Sequence, residues 1–219
     1  MKMQFERSYY TNLAYSRRKK LLKRNFLEVI DWASKLSGFN LLNGKGKRAL
    51  DVGCAYGYAC EILKGNGYET YGIDISRWGA KKAKDNINGQ FLICDAETRF
   101  PFKTKTFNLI TCLDVLEHLD YPVLVLQNML ELCRGVLICT TPNRYVEKPI
   151  RTALRDFDKT HKNVKTPLEW KSIIEKRLGH TSFKVETFYD LTLKLGAKFF
   201  FRSFKLPNLG LTTRIVVKT

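Results

Sequence analysis

Between residues 48 and 140, short apolar runs alternate with helix-like stretches, and this alternation limits the fold more than anything else in the sequence. The runs at 48–52, 69–73, 91–94, 107–112 and 135–140 read as strands, and those at 58–64, 77–86 and 122–133 read as helices. Strands that alternate with helices form βαβ units, because parallel strands need a crossover connection. The expected fold class is therefore α/β, a mostly parallel sheet with helices on both faces. Runs 183–189 and 213–218 have strand character as well. At 219 residues the chain fits one domain. We expect an N-terminal helical segment over 1–42, a ligand-binding half over 47–143, and a covering and C-terminal strand region over 144–219.

Local signals fix several helix ends. Ser76 is placed to cap the helix that opens at Arg77. Asp120-Tyr121-Pro122 offers a capping carboxylate with proline in the first turn. Thr166-Pro167-Leu168-Glu169 reads as a capping box, with Gly179 able to close that helix. The polar stretch 143–165 exceeds the usual connection length and is expected to be an irregular insertion covering a substrate.

Composition narrows the setting. No apolar run approaches the ~18 residues that span a bilayer, and the Met1-Lys2-Met3-Gln4 start lacks a signal-peptide core, so we expect a cytoplasmic protein. The six cysteines form no CxxC pair and sit largely in apolar runs, which suits reduced, buried thiols. Lys and Arg number 38 against 21 Asp and Glu, a formal charge of +17. The densest cluster, Arg17, Arg18, Lys19, Lys20, Lys23 and Arg24, shares a helical segment with Leu22, Phe26, Val29, Ile30, Ala33 and Leu36. Its basic face is read first as solvated, with nucleic acid or an anionic membrane surface as the alternatives.

The residues at strand ends carry the chemistry. The first strand runs into Asp51-Val52-Gly53-Cys54-Ala55-Tyr56-Gly57, a turn that lets backbone approach a ligand before a helix begins. A dinucleotide fingerprint needs glycine also at 55 and 58, where Ala55 and Tyr58 stand. The second strand ends at Asp74, about 20 residues beyond Asp51, the spacing of a ribose-binding acid. The third ends at Asp95-Ala96, where a carboxylate can accept from an exocyclic amine. Acids thus close three successive segments at the sheet edge where α/β proteins bind ligands.

These segments resemble the class I S-adenosylmethionine-dependent methyltransferases, closest to the branch with quinone-biosynthesis and other small-molecule enzymes. The matching stretches are Leu50 to Gly57, Gly72 to Ser76, Cys94 to Glu97, Leu113 to Leu119 and Thr141 to Arg144. Ala55 stands where that family usually has its middle glycine. The resemblance implies a Rossmann-like sheet of seven strands, the last antiparallel. It implies S-adenosylmethionine as cofactor and S-adenosylhomocysteine as product. Gly53, Ala55 and Gly57 would pass beneath the methionine portion, with Asp51 supporting the turn. Asp74 would hold the ribose, Ile75 would pack on the adenine, and Asp95 with Ala96 would read its amine edge. Leu113 and Asp114 would flank the sulfonium.

A general base is needed only for a weakly acidic acceptor, and His118 and His161 are the candidates. Asp114, Glu117 and His118 could also form an oxygen-rich magnesium site, as resembling residues do in some quinone O-methyltransferases. We read the motif as a strand end and helix start and expect no metal. A small-molecule acceptor is expected, RNA is the runner-up from the charge, and a non-catalytic cofactor- or nucleic-acid-binding protein is a third reading. Phe199 to Lys205 reads as an edge strand, with an apolar acceptor site or peripheral membrane contact as alternatives.

Overall fold

The computed structural model describes residues 5–154, 160–195 and 198–219. The elements run α1 (Arg7–Asn12), α2 (Lys19–Ser37), β1 (Arg48–Val52), α3 (Tyr58–Gly65), β2 (Glu69–Asp74), α4 (Arg77–Asn86) and β3 (Gln90–Ile93). They continue with β4 (Phe107–Leu113), α5 (Pro122–Leu132), β5 (Cys133–Pro142), α6 (Arg144–Leu154) and α7 (Pro167–Ser172). The chain closes with β6 (Phe183–Leu195), β7 (Lys198–Lys205) and β8 (Thr212–Lys218).

The strands form one sheet in the order β3-β2-β1-β4-β5-β8-β6-β7. From β3 through β5 every pairing is parallel, and β8 inserts antiparallel between β5 and β6. The sheet has eight strands, which corrects the expected seven. The run 183–189 continues to Leu195 and turns back as β7, so that Phe188 to Leu195 pair antiparallel with Lys198 to Lys205. The edge-strand reading of the Phe199–Lys205 run fits this position, and none of its described side chains reaches the cavity below.

Successive residues of a strand face opposite sides, so the core divides into two layers. Leu50, Ile110 and Leu137 pack with Val125, Leu126 and Met129 of α5 and with Trp170 of α7. Their neighbours Ala49, Leu109 and Ile138 pack on the other face against Val29, Ile30 and Ala33 of α2 and Leu63 of α3. Removing a side chain such as Leu50 would cost ~2–5 kcal/mol. The cysteines are all free, and all but Cys94 are buried. Among the described residues no helix is long and apolar enough to cross a membrane.

Several local expectations change. On α2, Leu36 is 38% exposed and lies off the packed stripe. The basic face is partly used within the fold: Lys19 and Lys23 both reach Glu61 of α3, at 3.2 and 2.8 Å. Tyr121, not Asp120, takes the capping position of α5 and makes no side-chain cap bond, while Asp120 accepts from Lys162. Ser76 does cap α4, accepting from the Gly79 amide at 2.9 Å, and the Thr166–Glu169 capping box is complete. The stretch expected to be irregular after Asn143 is helical through Leu154, although Pro149 lies inside that helix. Asp158 and Lys159 lie outside the described residues.

Candidate active site

Where β1 and β2 end, the backbone makes a tight pocket wall. The amides of Gly53 and Cys54 both donate to the Ile73 carbonyl, at 2.8 and 3.0 Å, which pulls the turn over the neighbouring strand. Gly53 has φ +75°, and a β-carbon there would stand 2.3 Å from Val115 Cγ2. Both the dihedral and the space therefore demand glycine. Ala55 also sits in the left-handed region, at φ 47°. Gly57 (φ +76°) faces Ile87 and Ala83 of the α4 region and does not line the cavity.

The three strand-end acids differ in surroundings. Asp74 Oδ2 accepts from the Ala55 amide and Oδ1 from the Ser76 amide, both at 2.7 Å. Burial pushes its carboxyl up to about 6 against those stabilising bonds. Asp95 Oδ1 accepts from the Glu97 amide at 3.0 Å, a local turn that fixes the end of β3. Asp51 faces inward, taking a 2.6 Å bond from Thr111 Oγ1, and burial pushes it up to about 7. Asp74 and Asp95 line a common cavity of about 490 Å³, with Ile75 and Ala96; Asp51 does not. The expectation that all three acids share one cleft is corrected to two, with the third supporting β1 from behind.

The cavity continues past Leu113 and Asp114 at the end of β4. Asp114 adopts φ 55°, and its Oδ1 accepts from Thr140 Oγ1 at 2.8 Å. Burial raises the Asp114 carboxyl above its usual range, and burial with the neighbouring Asp114 drives the Glu117 carboxyl well above its own. Beyond them the walls carry His118, His161 and Glu147. His118 Nδ1 lies 3.1 Å from the Thr160 carbonyl, and His161 Nδ1 lies 2.6 Å from Glu147 Oε1. The imidazole rings of His118 and His161 meet edge to face with centroids 4.8 Å apart. The Asp114–Glu117–His118 set does not assemble, because Asp114 turns to Thr140. Glu117, His118 and His161 instead bring their polar atoms within 4.8 Å of one another. A buried carboxyl that favours its neutral form makes this trio suited to handling protons.

The sequence reading missed Glu147 and the aromatic residues ahead of the basic helix. Phe5, Tyr9, Tyr10 and Tyr15 line the same cavity. Tyr10 is 5% exposed and packs on Tyr56 at 4.9 Å between centroids, and Tyr15 stacks on Tyr58. The run of tyrosines before Arg17 was the available signal.

A methyltransferase domain model matches residues 21–179. A ubiquinone biosynthesis O-methyltransferase of Coxiella burnetii is 34% identical over 109 residues, covering 46% of this chain and 45% of the relative. The chain thus spans about half the length of that relative. A SAM-dependent methyltransferase from Archaeoglobus fulgidus superposes with a TM-score of 0.72 at 20% identity, covering 96% and 100% of the two chains. The magnesium protoporphyrin IX methyltransferase of Synechocystis, with bound SAH, superposes with a TM-score of 0.64 at 17% identity over 97% of each chain. Those two likenesses establish the Rossmann-like fold. Because the family model spans well over half of its residues, this chain belongs to the methyltransferase domain family.

Proposed function

We propose that this chain transfers the methyl group of S-adenosylmethionine to a small-molecule acceptor. One observation carries the reading: a single cavity runs from Asp74 and Asp95, past Asp114, to His118 and His161 beneath aromatic side chains. Its volume falls in the range of ~300–1,000 Å³ typical of pockets that engulf small ligands. The residues fit the cofactor. Asp74 already holds one backbone amide on each oxygen, and a carboxylate has further lone pairs to receive two ribose hydroxyls. Gly53, held to glycine by its left-handed backbone and by the closeness of Val115, brings the turn to the cavity wall.

In this reading Ile75 packs on the adenine, Asp95 and Ala96 read its amine edge, and Gly53 and Ala55 pass beneath the methionine portion. Asp51 and Gly57 act indirectly, by holding β1 and the turn. Leu113 and Asp114 flank the methyl-bearing sulfur. When bound, the cofactor supplies an activated methyl group, so the protein's task is largely alignment, worth up to ~7–11 kcal/mol in favourable cases. Phe5 and Tyr9 shield the acceptor from water, and His118 or His161 takes its proton. The similarity to an O-methyltransferase of ubiquinone biosynthesis supports a small organic acceptor. The engagement of Lys19 and Lys23 with Glu61 weakens the RNA alternative.

The test incubates the protein with labelled S-adenosylmethionine and a panel of phenols, catechols and amines, beside bulk RNA. Label on a small molecule and none on RNA is the expected result. Label on RNA alone would overturn the acceptor class.

A further inference from the structure

Two elements far apart in sequence are fastened together at the acceptor end of the cavity. The amides of Lys162 and Asn163 both donate to the Glu117 carbonyl, at 2.8 and 2.9 Å. Asn163 Nδ2 donates to the Leu119 carbonyl at 2.6 Å, and Lys162 Nζ to Asp120 at 2.7 Å. This clasp carries His161 to the cavity wall, where Glu147, in the first turn of α6, meets it. The 2.6 Å contact joins Glu147 Oε1 to His161 Nδ1, and both side chains are only 13% exposed. A contact so short and so little exposed is screened weakly by solvent.

The two histidines differ in what faces Nδ1. His118 faces a carbonyl, which can only accept and offers a dipole. His161 faces a carboxylate, which accepts and also balances an imidazolium. A carboxylate at Nδ1 fixes the tautomer in which Nδ1 carries the hydrogen and Nε2 is the base. Around the pair stand Glu117 and His118 from the turn after β4, Asp114 from its end, Tyr9 from α1, and Arg18 at the cavity rim. Asp114 interacts electrostatically with both His161 and Arg18.

We infer that Glu147 and His161 form a carboxylate–imidazole pair that receives the proton released by the methyl acceptor, with Glu147 as the positioning residue. The inference rests on the methyltransferase reading above. The acceptor X–H gives its proton to His161 Nε2 while the X–CH₃ bond forms, and the electrons of the broken C–S bond return to sulfur. The imidazolium left behind is neutralised by Glu147. The pair therefore selects acceptors that hold a proton until the transfer, such as hydroxyls, over groups with none to lose.

The chain has three histidines, so long-range proton–nitrogen correlation spectra of the full protein resolve every imidazole, with His118→Asn and His180→Asn giving the assignments. In the wild type, neutral His161 is expected to carry its hydrogen on Nδ1. In Glu147→Ala the hydrogen should move to Nε2, while S-adenosylhomocysteine still stabilises the variant. On whichever panel acceptor the wild type methylates, Glu147→Ala should lower kcat about 100-fold with KM changed less than about threefold, and Glu147→Asp should recover part of the rate. An Nε2 hydrogen in wild-type His161, or a Glu147→Ala kcat within about threefold of wild type, overturns the pairing. A wild type that S-adenosylhomocysteine does not stabilise would count against the methyltransferase reading instead.

Discussion

The Asp74 carboxylate accepts the Ala55 backbone N–H at 2.7 Å, so the acid at the end of β2 also holds the turn that follows β1. The residue proposed to grip the ribose thus also shapes the loop proposed to lie beneath the rest of the cofactor. Asp74→Ala would loosen that turn as well as remove a ligand. Asp74→Asn keeps the shape and one accepting oxygen. We expect Asp74→Asn to fold, by circular dichroism, while losing most of the Tm increase that S-adenosylhomocysteine gives the wild type. A hundredfold excess of ligand over Kd adds ~2.7 kcal/mol, or roughly 5–10 °C for a protein of this size. An unchanged increase in the variant would remove Asp74 from the site.

Gly53 and Gly38 separate backbone strain from steric blockage. Both adopt φ near +75°, but an added β-carbon meets nothing within 4 Å at Gly38 and Val115 at Gly53. Gly38→Ala should cost about 1 kcal/mol, the price of the left-handed backbone alone. Gly53→Ala should cost about 2–4 kcal/mol, because Val115 must also move. Thermal denaturation of the two variants checks the difference, and equal losses would contradict the crowding.

Ala55 takes the same kind of conformation with a side chain attached. Ala55→Gly relieves that strain but gives the unfolded chain more freedom, and the two effects partly cancel. The expected net gain is about 0.5 kcal/mol, a Tm increase of roughly 1–2 °C. A lower Tm would show that the alanine methyl is held by packing worth more than the strain.

Asp51 gives a pH signature. Its carboxyl is pushed up to about 7 in the fold by burial, above its ordinary value of 3.8. The folded state therefore holds a proton that the unfolded state releases first, and stability falls as pH rises from about 4 to 7 and then levels. Asp51→Asn keeps an acceptor for Thr111 and cannot ionise. Relative to wild type it should gain on the order of 4 kcal/mol between pH 4 and pH 8 in urea titrations. A stability difference that stays constant across that interval would contradict a buried, neutral Asp51.

The parallel half of the sheet was legible because periodicity reports it directly. The run at 48–52 and the helix at 77–86 have the observed bounds, Asp74 closes β2 at the spacing read from Asp51, and Asp95 follows two residues after β3. The hairpin of β6 and β7 was harder to read, since cross-strand pairing between 188–195 and 198–205 leaves no local signature in either segment. Asp51 illustrates another limit. Sequence places an acid at a strand end, but the alternation of the strand decides whether its side chain faces the ligand or Thr111. The His118–His161 meeting rests on backbone bonds from 162 and 163 to Glu117, which no sequence pattern encodes. Glu147 escaped notice because its helix contains a proline, and a proline argues against a helix when only the sequence is read.

The cavity edged by Asp74 and Asp95 is proposed to hold an adenosine whose sulfur points toward Asp114 and His161. A crystal structure with S-adenosylhomocysteine bound tests it most directly. Both ribose hydroxyls should lie on the Asp74 carboxylate, the adenine over Ile75, and the sulfur toward the histidine end. Ligand bound elsewhere, with Asp74 contacting only Ala55 and Ser76, would contradict it.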